Sequence, residues 1–491
     1  MYTIIHGQTV ARGVFVPSYM DSLRKSVMEF HELGILKPSI KVIELEIKDG
    51  LDGAGNQIAI KEKWTKMVTM GFVVVKVTDQ TSGNNVTIYD NPVCNSNFSL
   101  KPLCMVLQDE NYELCKSLFA RYPSEQPNTV VDITSDYQVN VIFKIKRCMI
   151  DGKLRGIMSG RSAAHCFGCD WTLDDYYVGK RKGEAIHLHY LMYDVSERSA
   201  KSENVYFRLL REGLIGCRDA KKRMNYTEQP IAPLESMTIL HSVINCCKLM
   251  FNTLVIAECC DLSSVKPNKN MSSKNVKLRD AGIKKYSKRL LRKTGICVRD
   301  IGHNNTGGGL VGNHAKAFFE HGDQICDTIF KNSYREQIKK VIQNLYVILA
   351  ILNSNLPVIV AKYSELCRTT TSLLLRVPYF RFNITIHTLL FHSWEHIQNN
   401  GCKGLGKYGE DAIEMAMGRG RNARKFQAFR GSLTRNMTDA HYTLQLESDS
   451  YLNRNFIKVK RSQVCNAQFN RSTGAVIFHS PELQFLSVLP Y

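Results

Sequence analysis

Lys41-Val42-Ile43-Glu44-Leu45-Glu46-Ile47-Lys48-Asp49-Gly50-Leu51-Asp52-Gly53 is the stretch on which the fold turns. Val42, Ile43, Leu45 and Ile47 largely alternate with charged residues, the pattern of a half-buried strand. The strand is expected to end at Lys48–Gly53, which would put two aspartates just past a strand end. A second β-rich run, Val73-Val74-Val75-Lys76-Val77, follows, and Val139 to Ile145 reads as a third strand before a turn at Asp151-Gly152. The first third of the chain therefore reads as a mixed sheet. From about Tyr206 to Ser372 the pattern becomes helical and basic, densest at Lys284-Lys285-Tyr286-Ser287-Lys288-Arg289-Leu290-Leu291-Arg292-Lys293, and it reads as a helical insertion. A final part begins near Val377.

A chain of 491 residues can bury more than one core. Its 65 basic and 45 acidic residues leave a formal net charge of +20, spread along the chain, and make a polyanion the natural partner. Sixteen cysteines without an opening charged-then-apolar signal segment favour reduced thiols and metal ligation over disulfides, and an intracellular setting. The most apolar stretch, Val341 to Ala361, contains Gln343, Asn344, Asn353, Asn355 and Pro357, which suit a buried helix better than a membrane span.

Two groups of residues carry chemistry. Cys166-Phe167-Gly168-Cys169 is a two-residue-spaced Cys pair, and His387 and His392 form a His pair more than two hundred residues later, together a ligand set suited to zinc. Cys-x-x-Cys also serves redox chemistry, and a His pair also fits an amphipathic helix; His165 and His396 are alternative ligands. A shared site would staple distant segments and draw Asp151 towards the acidic run Glu410-Asp411-Ala412-Ile413-Glu414. Aspartates at strand ends of a basic protein suit divalent-metal phosphoryl transfer, which needs carboxylates around hard ions. Asp-Gly after a strand is equally turn chemistry. The Lys284–Lys293 cluster reads either as a phosphate grip or as a solvated helix face. Gly307-Gly308-Gly309 lacks the Gly-Lys-Ser/Thr of a Walker loop and is assigned no nucleotide.

The order Asp, Asp, Cys-x-x-Cys, His-x4-His, Glu resembles that of Transib-type DDE transposases and their relative, the catalytic subunit of the V(D)J recombination-activating recombinase. Lys48–Gly55 is similar to the family's first-aspartate segment and matches Asp52, with Asp49 as the alternative. Lys101-Pro102-Leu103-Cys104 with Asp109-Glu110 looks like a stretch of the same region. Met149–Leu154 matches the second-aspartate turn at Asp151. Cys166–Asp170 and Ile386–His392 match the two halves of a zinc site, and Gly312–Lys316 resembles a Gly-Asn-x-Ala-basic motif. Glu410–Glu414 is similar to the final-acid helix, with Glu414 at the catalytic position and Glu410 or Asp411 as weaker alternatives.

The resemblance covers roughly residues 15 to 460 and implies an α/β fold: a ribonuclease-H-like mixed sheet core interrupted by a mostly helical, zinc-containing insertion. The domains read as 1–40, a remnant of a pre-catalytic region; 41–165, the core with the first two acids; 166–376, the Cys-pair segment and helical insertion; and 377–491, the His pair, third acid and C-terminal helices. Asp52, Asp151 and Glu414 would bind two Mg²⁺ (or Mn²⁺) ions, with Asp52 bridging them, and Cys166, Cys169, His387 and His392 a structural Zn²⁺. The implied activity is nicking of double-stranded DNA at an element's end, hairpin formation on the flank, and strand transfer. The implied setting is a nuclear homodimer, with an accessory subunit and no membrane. Family members carry further N-terminal domains before the first aspartate, whereas about fifty residues precede Asp52 here, and the vertebrate recombinase's RING-type region has no match. The alternative is a non-catalytic, truncated or domesticated DNA-binding derivative.

Overall fold

The computed structural model describes residues 2–6, 9–57, 65–150, 154, 166, 237–262, 271–298, 312–331, 333–377, 379–380, 382–428, 433–449, 469–470 and 475–476. The chain divides into two compact units, Met1–Met149 with Glu410–Tyr491, and Ile150–Gly409. These divisions follow packing, and they differ from the boundaries at 40/41, 165/166 and 376/377 that composition and motifs placed on the sequence.

The first unit is built on a sheet of eight strands. In chain order they are β1 (Tyr2–His6), β2 (Thr9–Phe15), β3 (Val42–Gln57), β4 (Thr65–Asp79), β5 (Val86–Asp90), β6 (Lys101–Leu107), β7 (Thr129–Thr134) and β8 (Tyr137–Ile150). Spatially the order is β1-β2-β6-β4-β3-β8-β7, with β5 also paired to β4. The β2–β6–β4–β3 ladder is antiparallel. β8 runs alongside β3 in the same direction: Asn140 N–H donates to the Lys41 carbonyl at 2.8 Å, and further along both strands Gly50 abuts the Met149 carbonyl. A Cβ at position 50 would lie 2.0 Å from that oxygen, so only glycine permits this approach. The mixed sheet expected from the sequence is present.

One detail differs and matters. β3 does not stop at Ile47 but continues through Lys48-Asp49-Gly50-Leu51-Asp52-Gly53 to Gln57, so both aspartates lie inside the strand. The Asp-Gly pairs that read as turn chemistry are overridden because β4 pairs with this stretch residue by residue, from Asp49 opposite Phe72 to Ala54 opposite Met67. Tertiary pairing has outweighed local propensity.

Helix α1 (Tyr19–Glu32) begins where the Ser18 hydroxyl accepts the Asp21 N–H at 3.1 Å. Its buried residues Tyr19, Leu23, Val27 and Phe30 recur at helical spacing. The Tyr19 ring lies 5.5 Å from that of Phe72, and Phe30 4.9 Å from Tyr89. Helix α2 (Tyr112–Arg121) adds Phe119 beneath the Arg147 guanidinium, 4.1 Å from the ring centre. There Arg147 forms two hydrogen bonds to Asp49, at 2.8 and 3.1 Å, and donates to the Tyr122 carbonyl at 2.6 Å. Both side chains are buried, at 4% and 0% exposure. Burial raises the Asp49 carboxyl above its ordinary range, opposed by the Arg147 charge.

In the second unit the described elements are helical: α3 (Ile239–Cys259), α4 (Ser273–Thr294), α5 (Gly312–Glu320), α6 (Gly322–Ile329), α7 (Arg335–Leu352), α8 (Val360–Leu375), α9 (Ile384–Phe391) and α10 (Ser393–Asn399). By length and composition α3 is apolar enough to cross a membrane, yet most of that stretch is buried in the unit's core. Its Phe251 ring packs edge-on against Phe318 and Phe330 at 6.5 and 6.3 Å. The stretch expected as one buried helix, Val341 to Ala361, is instead the end of α7 and the start of α8. Asn353 caps α7, and Pro357 lies in the connection.

The chain then returns to the first unit with α11 (Asp411–Asn422), a π-helical turn (Ala423–Gln427) and α12 (Leu433–Glu447). Arg147→Met, which strands a buried carboxylate, is expected to lower unfolding stability by about 3–5 kcal/mol. The double variant Asp49→Leu/Arg147→Met should recover most of that loss in denaturant titration. Equal losses in both would show that packing around Phe119, and not the ion pair, holds this region.

Candidate active site and Cys–His cluster

Asp52 is 5% exposed and stands opposite Thr69 of β4. Paired residues of an antiparallel ladder point to the same face, and successive pairs alternate. Thr69 is also opposite Met105 of β6, so Asp52, Thr69, Met105 and, two residues along β4, Met67 share a face. Met67 and Met105 form a core with Met417 of α11 and with Met437, Ala440 and Leu444 of α12. The Asp52 face is therefore the face that α11 and α12 cover. Glu414 occupies the first turn of α11, three residues before Met417. Glu410, 1% exposed, precedes that helix, and its carbonyl accepts the N–H groups of Ile413 and Glu414 at 3.1 and 3.2 Å. Asp411 and Glu414 at a helix N-terminus are favoured by its positive dipole end.

Asp49, three positions from Asp52, falls on the opposite face with Arg147 and Tyr19. Lys48, four positions before Asp52, shares the Asp52 face and is fully buried, with its amine donating to Asn95 Oδ1 at 2.5 Å. Burial lowers the Lys48 amine below its ordinary value, while Cys94, Cys148, Asp411 and Glu410 act to raise it. This cation links the strand that carries Asp52 electrostatically to the helix start that carries Glu414.

One further group at this site, and one on the reverse face of the strand, escaped the sequence. The Thr69 hydroxyl, opposite Asp52, is buried with no hydrogen-bond partner among the described residues, a polar atom placed for a ligand to satisfy. The Glu110 carboxylate rests against Gly53, where a Cβ would lie 1.7 Å from its Oε1. Glu110 was legible only as part of Asp109-Glu110 following Lys101-Pro102-Leu103-Cys104, with no role attached. Buried Asp52 and the orphaned Thr69 hydroxyl across the ladder are hard oxygens, the donor type that suits a divalent cation. Asp151 follows β8 in the sequence and lies outside the described residues.

The second unit contains the other group. Cys166, His387 and His392 are buried, and their ligand atoms lie within 4.8 Å of one another. Asn383 caps α9 by accepting the Ile386 N–H at 2.9 Å, fixing the helix that presents His387, and His392 sits where α9 gives way to α10. The two Nε2 atoms are 3.2 Å apart. Ligand nitrogens around a tetrahedral zinc, at bond lengths of about 2.0–2.1 Å, stand roughly 3.3 Å apart. His392 Nδ1 meets Glu395 Oε2 at 3.0 Å, the outer carboxylate that commonly orients a ligating imidazole. Burial pulls the His392 imidazole down, but Cys166 and Glu395 outweigh it and push it up to about 9, so the pocket favours positive charge. The three residues fit a metal ion. Cys169 and His165 lie outside the described residues. His396, weighed as an alternative ligand, is in α10 and not among the three that converge.

Residues 45–164 match the family model for the recombination-activation protein 1 (RAG1) RNase H domain. No curated protein matches the chain. The match gives an RNase H-like domain of this type, with the recombinase- or transposase-related, nuclease-type function and the DNA binding that the family implies.

Gly53→Ala is expected to displace the flexible end of Glu110 while leaving the strand in place, with a stability loss below about 1 kcal/mol in denaturant titration. A much larger loss would show that the Glu110 carboxylate is held in place and cannot yield.

Proposed function

We propose, for a chain that belongs to a RAG1-like, transposase-related family, that it cuts and joins double-stranded DNA with a carboxylate centre formed by Asp52, Asp151 and Glu414. The observation that carries this reading is that Asp52 faces the helix whose first turn holds Glu414. Asp151 supports it as the residue that follows β8, the strand running beside β3. Mg²⁺ or Mn²⁺, when bound, supplies the charge that activates an attacking oxygen and stabilises the leaving one.

The chain's own part is positioning. Asp52, held in a paired strand, fixes one side of the centre. Glu414 is fixed by the packing of Met417 one helical turn later. Lys48 offsets the surrounding negative charge. Water is the first nucleophile and the freed 3′-hydroxyl the second, which gives a nick, then a hairpin on the flank, then strand transfer at the same centre. Joining two ends calls for a homodimer, with an accessory subunit for end recognition, and the substrate places the protein in the nucleus. Cys166, His387 and His392, with Cys169, hold Zn²⁺ as a closed structural site.

Nicking of supercoiled plasmid and hairpin formation on a labelled, pre-nicked duplex in Mn²⁺ test the centre. Asp52→Asn and Glu414→Gln are each expected to reduce the rate by roughly 1,000-fold or more, about 4 kcal/mol of transition-state stabilisation, with zinc content and DNA binding retained. Wild-type protein that binds DNA but neither nicks nor forms hairpins would leave a non-catalytic DNA-binding derivative. For the second site, Cys166→Ser should lose stoichiometric zinc and fold poorly, because binding energy at such sites is folding energy. A normally folded Cys166→Ser protein with one zinc per chain would remove Cys166 from the ligand set.

A further inference from the structure

Helix α4 carries an unusual surface. Its buried residues Asn275, Gly282, Ile283, Tyr286 and Leu290 fix one face in the core of the second unit, with Tyr286 stacked on Phe330 at 4.9 Å. At about 100° per residue, the exposed residues Lys274, Lys277, Lys284, Lys285, Lys288 and Arg292 fall within an arc of roughly 100° on the other side. Among the described residues none of these six forms an ion pair. The helix's one acid, Asp280, is taken by Arg279 at 2.9 Å, and Arg289 donates to the Thr328 carbonyl. A solvated helix face ordinarily mixes signs; this arc carries one sign only.

We infer that the exposed face of α4 is a docking ridge for the phosphate backbone of a nucleic-acid duplex. This inference rests on the DNA-acting reading above and assigns part of the binding to the second unit. At about 1.5 Å per residue, Lys274 and Arg292 stand roughly 27 Å apart, a span that meets several phosphates at about 3.4 Å of rise per nucleotide. A single strand is a poorer occupant, since the arc has no aromatic ring on which bases stack. An anionic bilayer is poorer too: a helix that lies on a membrane buries its apolar face in lipid, whereas that face of α4 is already buried in protein. Five of the six cations are lysines, flexible point charges that hold phosphate without reading bases, so the ridge adds affinity and orientation and not sequence choice.

The test uses the full chain and a 30-base-pair duplex of arbitrary sequence, with binding followed by fluorescence anisotropy across a salt series. Wild type is compared with the quadruple variant Lys277→Gln/Lys284→Gln/Lys288→Gln/Arg292→Gln and with Asp52→Asn. The quadruple variant should reduce the slope of log affinity against log salt by about 2 to 4 and weaken binding at least tenfold at low salt. Asp52→Asn should keep the wild-type slope, and the corresponding Lys→Arg triple variant should restore binding. Wild-type binding with an unchanged slope in the quadruple variant overturns the ridge and leaves the DNA-acting reading intact. Absence of wild-type duplex binding overturns both. Charge-dependent capture by phosphatidylserine vesicles without duplex binding would assign the face to a membrane and likewise overturn the ridge.

Discussion

The buried ion pair between Asp49 and Arg147 is the constraint from which the rest of the first unit follows. Two charges at 0% and 4% exposure are tolerable only because each has several fixed partners: two hydrogen bonds between them, the Tyr122 carbonyl for Arg147, and the Phe119 ring at its face. Such a pair adds little net stability over a well-packed apolar one, but a misplaced partner is costly. Its effect is on register. Asp49 and Asp52 are three positions apart in one strand, so holding Asp49 on the α1 side commits Asp52 to the other. A one-residue slip of β3 would turn both aspartates over at once, burying Asp52 against α1 and removing Asp49 from Arg147.

The opposite face is shaped by soft side chains. Met67, Met105, Met417 and Met437 meet there, and methionine fills irregular space between a twisted sheet and helices with little demand on exact geometry. The chain leaves α11 through a π-helical turn, a wider winding that recurs at functional sites. Arg424, in that turn and buried, binds Asn436 Oδ1 at 3.0 Å and reaches Met67 Sδ at 3.9 Å, joining the end of α11 to both α12 and β4. The acid-bearing first turn of α11 is thus anchored from its far end as well as through Met417.

The sequence revealed most where local pattern and tertiary structure agree. Alternation in Val42–Ile47 announced the strand, and the His pair lies with Cys166 in a cluster whose ligand atoms are within 4.8 Å of one another. It misread where β3 ends, because Asp-Gly pairs are turn-forming in isolation and the partner strand that overrides them lies elsewhere in the chain. The roles of Asp49 and Asp52 could not be separated locally; the distinction is which face each occupies, and that depends on Arg147, almost a hundred residues later. Thr69 carried no readable signal for the same reason, since a threonine in a strand becomes informative only beside Asp52.

Charge placement gives these features a common logic. The carboxylates around β3 and the start of α11 are largely withdrawn from solvent, with Asp52 and Glu410 almost fully buried and Lys48 among them. Among the described residues, α4 instead concentrates six exposed cations that form no ion pair on one arc, where they can act at a distance. Exposed acids would repel a polyanion and be screened by salt, whereas buried ones keep their field for a cation that enters among them. On the function proposed above, a chain whose surface attracts phosphate and whose interior reserves oxygen ligands for a divalent ion would separate the two electrostatic demands of phosphoryl transfer, capture of an anion and neutralisation of the charge that develops on it.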